Sequence, residues 1–350
     1  MYMKAAVLWG NAEIDIGGER RYPDLPLKRD PLDIVDRDVP SIGSDQILVK
    51  VYACGVCYTD IDIVEGRIKC KLPVVPGHQI IGRVVAIGDN VGDKIRIGDR
   101  VGIAWISWSC GKCYFCLSGQ ENLCSDFKAT GCHIDGGYEE YVAVYADYVY
   151  RIPDIFSDYE AAPLLCAGAV GYRALRLANM RDGLKLGLFG FGSSAHIIIQ
   201  IARKLYPSSE IYVFSRSEEH RELAKKLGAD WTGKPSDNPP KKIDRAIDFT
   251  PVGETIARAL ELLERGGRLV INVIRKQTMV NLDYTQHLWM EREIKSVANV
   301  TRKDVIEFLE IASSIPVKPE IKLYRLDDVN QALRDLKAAK VKGSPVIAIS

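Results

Sequence analysis

The chain has 350 residues, and its hydrophobic content of 47% is enough to bury a large core divided between two domains. Lys and Arg total 47 and Asp and Glu total 46, so the net charge of +1 creates no overall field that would favour nucleic acid or an anionic membrane. No apolar stretch approaches the roughly 18 residues of a membrane-spanning helix, the opening MYMKAAVLWG lacks the features of a signal peptide, and we therefore expect a cytoplasmic protein.

Residues 1–150 have the pattern of a β domain. Short segments rich in Val and Ile lie at residues 46–53, 80–87 and 100–104, and glycines separate them. Short strands divided by glycine turns favour an all-β, barrel-like fold.

The pattern changes near Pro153. Ser157 and Glu160 form an S-x-x-E capping box, which predicts helical sequence extending to about residue 178. Short apolar runs then alternate with helical segments at residues 217–227 and 254–263. The runs lie at residues 185–189, 211–214, 245–249, 268–273 and 294–297. This alternation predicts a parallel, doubly wound sheet.

The C-terminal segment changes pattern again. From about residue 301 the chain adds a helix, a short segment at 321–324, another helix from Asp327 and a last strand at 345–349. We expect this segment to return to the first domain. The predicted order is thus a β domain interrupted by an α/β domain.

Four cysteines form the most specific motif of the sequence. The segment CGKCYFCLSGQENLC has the spacing C-x2-C-x2-C-x7-C, and four thiolates at such intervals can close a tetrahedral zinc shell. These cysteines are Cys110, Cys113, Cys116 and Cys124. A shell of four protein sulfurs leaves no open position for water or substrate, so we expect this loop to maintain structure while the chemistry occurs elsewhere.

An iron–sulfur cluster and disulfides are the competing interpretations of this motif. The bacterial ferredoxin run has three residues before its last cysteine and a proline after it, whereas here there are seven and Ser125 follows. Disulfides would need an oxidising compartment. No basic or aromatic stripe accompanies the loop, which argues against nucleic-acid binding. Zinc is the favoured interpretation.

A glycine turn in the α/β region indicates a dinucleotide site. Gly190, Gly192 and Ala195 form G-x-G-x-x-A in LFGFGSSAHIII, with Ser193 in the same turn, between an apolar strand and an apolar helix. Glycines there permit a tight turn and close backbone approach to a pyrophosphate at the helix N-terminus. The strand-helix-strand context favours a cofactor site over a simple packing turn.

The end of the next strand indicates which cofactor is bound. An acidic residue there favours NAD, whereas an arginine accommodates the additional phosphate of NADP. This chain has Ser215 and Arg216 at that place and no carboxylate. The sequence therefore predicts NADP(H), with NAD(H) as the alternative if Arg216 is only a solvated surface arginine.

Three further residues could form a second metal site. Cys57, His78 and Cys166 each lie beside glycine or proline turns, and two thiolates with one imidazole would bind zinc and leave a fourth position open. Their spacing does not show that they converge. Each alone is more often a buried structural residue than a ligand.

The combined order of these motifs resembles a known family. With the cysteine quartet, GVCYTD, PGH, IGDRV and GFGSSA in order, the chain is similar to the zinc-containing alcohol dehydrogenases of the medium-chain dehydrogenase/reductase superfamily over nearly its whole length. The resemblance implies a GroES-like β-barrel catalytic domain at residues 1–160 and 298–350. It implies a Rossmann domain at residues 161–297. Relatives are dimers or tetramers, and we expect a tetramer.

The resemblance also implies roles for individual residues. Cys57, His78 and Cys166 would hold the catalytic zinc, Thr59 would take the substrate proton, and Asp60 would orient His78. Asn272 and Val273 would lie at the nicotinamide, since ligands bind at the carboxyl ends of strands. The implied reaction interconverts alcohols with aldehydes or ketones by hydride transfer to and from NADP(H).

Three residues depart from the family pattern near this site. Gln79 replaces a common Glu and removes a negative charge, which predicts weaker zinc retention. Asp62 stands where many members have a relay histidine, and a carboxylate with a pKa near 3.9 is a poor proton shuttle at neutral pH unless burial raises that pKa. Tyr58 replaces a cationic residue that contacts the cofactor phosphates, and a phenol carries no positive charge.

The three remaining cysteines and Trp105 lie outside these motifs. We interpret Cys54, Cys70 and Cys132 as small buried or half-buried packing side chains. Trp105 either lines the substrate pocket, as its position in relatives suggests, or packs in the protein interior.

Two other functions compete with the alcohol dehydrogenase function. One is a reductase of the same superfamily that works without catalytic zinc, such as a quinone, enoyl or ketone reductase. The other is a cofactor-binding protein with little turnover. The complete Cys57, His78 and Cys166 set argues against the first.

Overall fold

A computed structural model describes residues 2–315 and 317–350, which divide into two compact units. The first unit contains residues 2–166, Thr301–Leu309 and Glu320–Ser350. The second contains Ala167–Val300 with residues 310–315 and 317–319. A predominantly β unit is therefore interrupted along the chain by an α/β unit, and this fold class agrees with the prediction from sequence.

Short strands are the main regular secondary structure of the first unit. Its helices are α1 Tyr58–Val64, α2 Tyr114–Leu117, α3 Asp158–Ala161 and α9 Val329–Lys337. Its strands are β1 Tyr2–Val7, β2 Glu13–Ile14, β3 Leu27–Lys28, β4 Asp33–Asp38, β5 Gln46–Gly55, β6 Gln79–Ile87, β7 Arg100–Ile103, β8 Ile106–Trp108, β9 Lys128–Ala129, β10 Tyr141–Tyr145, β11 Val149–Arg151, β18 Ile321–Arg325 and β19 Ser344–Ala348. Strand β4 was not predicted, because its sequence DIVDRD is mostly charged, yet it pairs antiparallel with β1.

The main sheet of the first unit surrounds β5. In the described part of the chain this sheet has the order β11-β7-β6-β5-β19-β18, with β10 also paired to β5. Alternate residues of β5, including Ile47, Val49 and Val51, are fully buried, as expected for a strand with one face in the core. The C-terminal strand β19 pairs antiparallel with β5, so the end of the chain returns to the first unit as predicted.

A parallel sheet forms the centre of the second unit. Its strands are β12 Leu186–Phe189, β13 Ile211–Phe214, β14 Trp231–Gly233, β15 Ile243–Asp248, β16 Leu263–Ile271 and β17 Glu293–Ser296; its helices are α4 Ala167–Leu177, α5 Ser193–Leu205, α6 Glu218–Lys226 and α7 Glu254–Leu262. The order β14-β13-β12-β15-β16-β17 is the doubly wound arrangement of dinucleotide-binding domains. The register aligns Phe189 with Phe214 and Asp248, and Asp248 with Ile271, so these carboxyl ends lie along one edge.

The helical region after Pro153 is broken into pieces. The predicted capping box is present, because Ser157 Oγ accepts from Glu160 N at 3.2 Å and Glu160 Oε2 accepts from Ser157 N at 2.9 Å. Pro163 then lies in a 3-10 turn, Ala162–Leu165, since proline has no N–H to continue α3. Cys166 falls in the break before α4.

Both boundaries between the units differ from the predicted ones. The first unit extends to Cys166, beyond the predicted residue 160. Helix α8, Arg302–Ser314, begins in the first unit and ends in the second. The Gln200 side chain exchanges hydrogen bonds with the backbone of Lys318 at 3.1 and 3.2 Å, which accounts for the place of this segment in the second unit.

Cys70 and Cys132 form a disulfide, so their interpretation as packing side chains is wrong. Their Cα atoms lie 4.7 Å apart, although 62 positions separate them in sequence. Lys71 N also donates to the backbone oxygen of Cys132 at 3.1 Å, which shows how the fold brings the two loops together. Such a long separation gives no signal in the sequence. Cys54, in contrast, is a fully buried free thiol, as expected.

Within residues 2–315 and 317–350, no helix combines the length and the apolar character that a membrane span requires.

Candidate metal centres and cofactor site

The four cysteines of the loop at residues 110–124 converge in the first unit. All four Sγ atoms lie within 4.8 Å of one another. Cys116 Sγ lies 3.5 Å from Cys113 Sγ and 3.9 Å from Cys110 Sγ. Tetrahedral zinc with Zn–S bonds of about 2.3 Å separates its sulfurs by about 3.8 Å. The donor set and its spacing therefore fit a closed structural zinc site.

Backbone groups and burial act differently on the cysteines of this loop. The backbone N–H groups of Lys112 and Cys113 lower the pKa of Cys110 to about 6, because they stabilise its thiolate. Burial raises the pKa of Cys124 to about 11. A metal ion bound by these sulfurs would displace the remaining protons.

Neighbouring side chains hold the loop in place. Ser109 N donates to Tyr148 Oη at 2.9 Å, just before Cys110. Within the loop, buried Glu121 accepts from the backbone N–H of Arg302 at 2.9 Å. The Arg302 guanidinium also lies 4.9 Å from the ring centre of Tyr148. These contacts link both ends of the loop to the same arginine.

The structure brings Cys57, His78 and Cys166 together, which the sequence could not show. Cys57 caps the N-terminus of α1, His78 follows Gly77, whose φ is +96°, and Cys166 lies in the helix break. Their ligand atoms lie within 4.8 Å of one another, with His78 Nε2 3.3 Å from Cys166 Sγ. Two sulfurs and one imidazole nitrogen fit a zinc site that keeps an open position.

Asp60 lies behind His78 and is fully buried. Its Oδ1 lies 3.3 Å from His78 Nδ1, and its Oδ2 accepts from Cys57 N at 2.7 Å and from the Tyr138 hydroxyl at 3.0 Å. A proton on Nδ1 shared with Asp60 leaves Nε2 free to act as a metal ligand. The family resemblance indicates Asp60, but nothing in the sequence indicates Tyr138, which lies 78 residues from it in the chain.

The side chains of this cluster change one another's pKa. A hydrogen bond with Cys166, aided by His78, lowers the pKa of Cys57 well below its usual value. The same bond, together with burial, raises the pKa of Cys166. Burial disfavours a charge on His78, but Asp60 and Cys57 outweigh it and raise its pKa to about 10. The cluster thus stabilises a thiolate at Cys57, and a metal ion would replace its protons.

The residues around the cluster differ in their environment. Thr59 is buried, and its Oγ1 lies 3.5 Å from Cys57 Sγ. The Trp105 ring stands edge-on to His78 with 5.0 Å between ring centres.

Gln79 is buried against Gly55, where an added Cβ would lie 2.9 Å from Gln79 Cδ. Tyr58 is half-buried at the start of α1.

Asp62 forms an ion pair instead of lying open to solvent. It is 4% exposed, and its Oδ1 lies 2.5 Å from Arg67 Nη2. Arg67 also contacts Glu65, and Lys337 pairs with Glu65 at 2.6 Å. This group of charges links α1 to α9 and holds the Asp62 carboxylate in an ion pair.

The glycine turn in the second unit has the geometry of a phosphate-binding loop. Gly190 has a φ of +86°, and an added Cβ would lie 2.9 Å from Thr250 Cγ2, so a larger residue would be strained there. Gly192 caps α5, and among the described residues nothing lies within 4 Å of the place its Cβ would occupy. Ser193 begins α5, and Ala195 is buried beneath it. The open backbone at this helix N-terminus fits a pyrophosphate.

Ser215 and Arg216 follow β13 at the same edge of the sheet. Ser215 is buried and its N–H donates to the Gly233 carbonyl at 2.9 Å, whereas Arg216 is exposed. Arg221 Nη1 donates to the carbonyl oxygens of Ser215 and Arg216 at 2.8 and 2.9 Å. The backbone at this strand end is therefore fixed while the Arg216 side chain extends into solvent.

Asn272 and Val273 follow β16 along this edge. Asn272 N donates to the Asp248 carbonyl at 2.9 Å, and its Oδ1 is buried with no hydrogen-bond partner among the residues described. A buried acceptor without a partner is costly, so a ligand that carries an amide N–H fits there. Val273 is half-buried beside it. Lys276 contacts the fully buried Asp248 and was not singled out from sequence.

This chain is similar to known proteins over most of its length. Residues 43–154 match the family model of the alcohol dehydrogenase GroES-like domain, and residues 195–314 match that of the zinc-binding dehydrogenases. The chain is 42% identical to the probable alcohol dehydrogenase AdhA of Mycobacterium tuberculosis, over 93% of this chain and 94% of that protein.

Two solved structures extend the comparison. A cinnamyl alcohol dehydrogenase from Sorghum bicolor superposes with a TM-score of 0.85 at 27% identity, over 99% of this chain and 98% of the other. A zinc-binding dehydrogenase from Sinorhizobium meliloti, described as bound to NADP, gives a TM-score of 0.85 at 25% identity, over 99% of both chains.

Proposed function

The chain belongs to the zinc-containing alcohol dehydrogenase family of the medium-chain dehydrogenase/reductase superfamily and is an oxidoreductase, and we propose that it interconverts alcohols and aldehydes or ketones with NADP(H) at a zinc site formed by Cys57, His78 and Cys166. The observation that carries this proposal is the convergence of these three ligand atoms within 4.8 Å. The cysteine loop at residues 110–124 would hold a separate structural zinc ion.

The residues of the site have distinct roles in this proposal. Zinc would supply Lewis-acid polarisation of the substrate oxygen, and the nicotinamide would accept or return the hydride. Asp60 orients the His78 ring so that Nε2 points toward the two sulfurs. Thr59, whose hydroxyl lies beside Cys57, takes the proton of the substrate alcohol. The ion pair with Arg67 makes Asp62 unsuited to carry that proton onward.

The strand end after β13 supports the preference for NADP(H). Arg216 offers an exposed guanidinium on a backbone that Arg221 fixes. Neither of the two residues after β13, Ser215 and Arg216, is acidic. A charge-assisted contact from arginine to phosphate is short and strong. The similar Sinorhizobium meliloti dehydrogenase is described as bound to NADP. On the other side of the cofactor, Asn272 Oδ1 would accept a hydrogen bond from the nicotinamide amide.

A homo-oligomer is the proposed assembly, with a tetramer expected from the resemblance. The segment after β16 in the second unit exposes an unusual number of large apolar side chains, which favours burial against another protein copy. They are Ile274, Met279, Val280, Tyr284, Trp289, Met290 and Ile294. Sedimentation velocity would show a monomer if this prediction is wrong. The cytoplasmic location remains a prediction.

Metal analysis together with turnover tests the proposed function. We expect two zinc ions per chain in the wild type, one in Cys166→Ser, and NADP-dependent oxidation of alcohols only in the wild type. A single zinc ion that is lost only when the loop at residues 110–124 is altered would contradict the zinc mechanism and favour the reductase without catalytic zinc. Binding of NADPH without turnover on a broad panel of alcohols and carbonyls would indicate a cofactor-binding protein.

A further inference from the structure

Tyr138 is the largest fully buried side chain near the proposed catalytic metal site. Its backbone N–H donates to the Pro76 carbonyl at 3.1 Å, and its own carbonyl accepts from Ala6 N at 2.8 Å. The ring packs against Gly77, where an added Cβ would lie only 2.7 Å from Tyr138 Cδ1. Tyr138 is thereby fixed to the residues that immediately precede His78.

The hydroxyl of Tyr138 has one specific partner. It donates to Asp60 Oδ2 at 3.0 Å, the oxygen that also accepts from the backbone N–H of Cys57. The other oxygen, Oδ1, faces His78 Nδ1. Tyr138 and Cys57 N together hold one carboxylate oxygen, so they determine the plane of the carboxylate and the direction in which Oδ1 points.

We propose that Tyr138 is a positioning residue for the metal site: through its hydrogen bond to Asp60 it fixes the carboxylate that orients His78, and so it slows the loss of zinc from Cys57, His78 and Cys166. This inference rests on the proposed function, since it concerns retention of the metal named there. Groups that orient a metal ligand typically change metal affinity or activity by about 10-fold to 100-fold when they are altered.

The chain offers a matched control in the same unit. Tyr150 is also buried, and its hydroxyl has no hydrogen-bond partner within the described ranges. Tyr138→Phe and Tyr150→Phe both remove one buried hydroxyl and keep the ring. A purely structural role for either hydroxyl would therefore alter stability without affecting the two metal sites differently.

The test measures zinc release from the full-length protein to a coloured chelator. The four-cysteine site provides an internal reference, and Cys166→Ser identifies which phase of release belongs to the catalytic site. We expect Tyr138→Phe to release catalytic zinc about tenfold faster than the wild type, Asp60→Asn about 10-fold to 100-fold faster, and Tyr150→Phe at the wild-type rate. Cobalt(II) in the catalytic site should show a shifted absorption spectrum in Tyr138→Phe and not in Tyr150→Phe.

A double-mutant cycle decides whether Tyr138 acts through Asp60. If it does, Tyr138→Phe adds little to the zinc release of Asp60→Asn. Wild-type release and an unchanged cobalt spectrum in Tyr138→Phe would overturn the inference, and so would equal acceleration at both metal sites. A wild-type chain that binds only the structural zinc would instead overturn the proposed function, and this inference with it.

Discussion

Arg221 holds the backbone of Arg216: its Nη1 donates to the Arg216 carbonyl oxygen at 2.9 Å, while the Arg216 side chain itself extends into solvent. We expect Arg216→Ala to weaken NADPH binding by about 10-fold to 100-fold, because a charge-assisted contact contributes about 1.5 to 3 kcal/mol. NADH, which lacks the additional phosphate, should bind with unchanged affinity. Fluorescence titration with both cofactors measures the difference.

Arg265 provides the control for this experiment. It is also an exposed arginine of the second unit, but it lies near the amino end of β16, whereas Arg216 follows the carboxyl end of β13. Arg265→Ala should leave both affinities unchanged. Equal affinity of the wild type for NADPH and NADH would show that Arg216 does not select the cofactor.

Loss of one cysteine from the loop at residues 110–124 should remove one zinc ion and destabilise the first unit. Cys113→Ser leaves three sulfurs around the metal, and a structural zinc site contributes directly to the free energy of folding. The zinc content, measured by elemental analysis, should fall from two ions to one per chain, and the melting temperature should fall as well. Cys54→Ala, which alters a buried cysteine outside both sites, should keep both ions.

The buried ion pair between Arg67 and Asp62 should be costly to break. The Arg67→Met variant leaves Asp62 and Glu65 without their guanidinium partner, and removal of one partner from a buried pair costs about 3 to 5 kcal/mol. Urea unfolding measures this loss. Lys303→Met, which breaks an exposed pair with Glu307 on α8, should cost less than about 0.5 kcal/mol. Similar losses of unfolding free energy in both variants would show that the ion pairs of Arg67 stabilise the fold no more than a surface pair does.

Glu139 should make stability fall as the pH rises. Burial and the nearby Asp135 raise its pKa well above the ordinary 4.5, so the folded chain keeps its proton where the unfolded chain has already lost it. Stability is therefore unaffected below the unfolded pKa and decreases between that value and the raised pKa of the folded state. Each pKa unit of difference corresponds to about 1.4 kcal/mol.

Glu139→Gln removes this titration and keeps the shape of the side chain. The variant should be more stable than the wild type near about pH 8 and closer to it near about pH 4.5, as measured by urea unfolding. The nearby charged groups are Arg37, Asp135 and Lys71, with Arg37 Nη1 at 3.5 Å from the Glu139 carboxylate. A difference that stays constant across this range would show that Glu139 is ionised in the folded state.

The Cys70–Cys132 disulfide should stabilise the first unit against unfolding. A bridge that closes 62 residues lowers the entropy of the unfolded chain by an amount equivalent to about 4 kcal/mol at 25 °C. Dithiothreitol should therefore lower the urea midpoint of the wild type but not that of the Cys70→Ser/Cys132→Ser double variant. Alkylation of the denatured, unreduced chain should label seven of its nine cysteines. Labelling of all nine would show that the bridge is absent.

The sequence predicted the regular parts of the fold because their signals are local. The apolar runs at β12 and β13 and the capping box at Ser157 were found close to their observed places, since strand burial and helix capping depend on adjacent residues. The four cysteines of the loop also lie within one short segment. Their convergence followed from spacing alone.

The convergence of the three proposed zinc ligands could not be predicted from local signals. Cys57, His78 and Cys166 approach one another only because α1, the turn before β6 and the break after Pro163 meet in the folded unit, and the resemblance alone indicated them. Tyr138 and the Cys70–Cys132 bridge gave no local signal, because each depends on a contact between distant segments. The charged strand β4 was missed since its pairing with β1, and not its own composition, determines its conformation.

The position of Cys166 has a consequence for protein engineering. The first compact unit ends at this residue, so one of the three proposed ligands is the last residue before the chain enters the nucleotide-binding unit. A chimera that exchanges the second unit would keep the complete ligand set only if the junction follows Cys166. A junction placed at residue 160, the boundary that the family resemblance implies, would take the third ligand from the incoming domain instead.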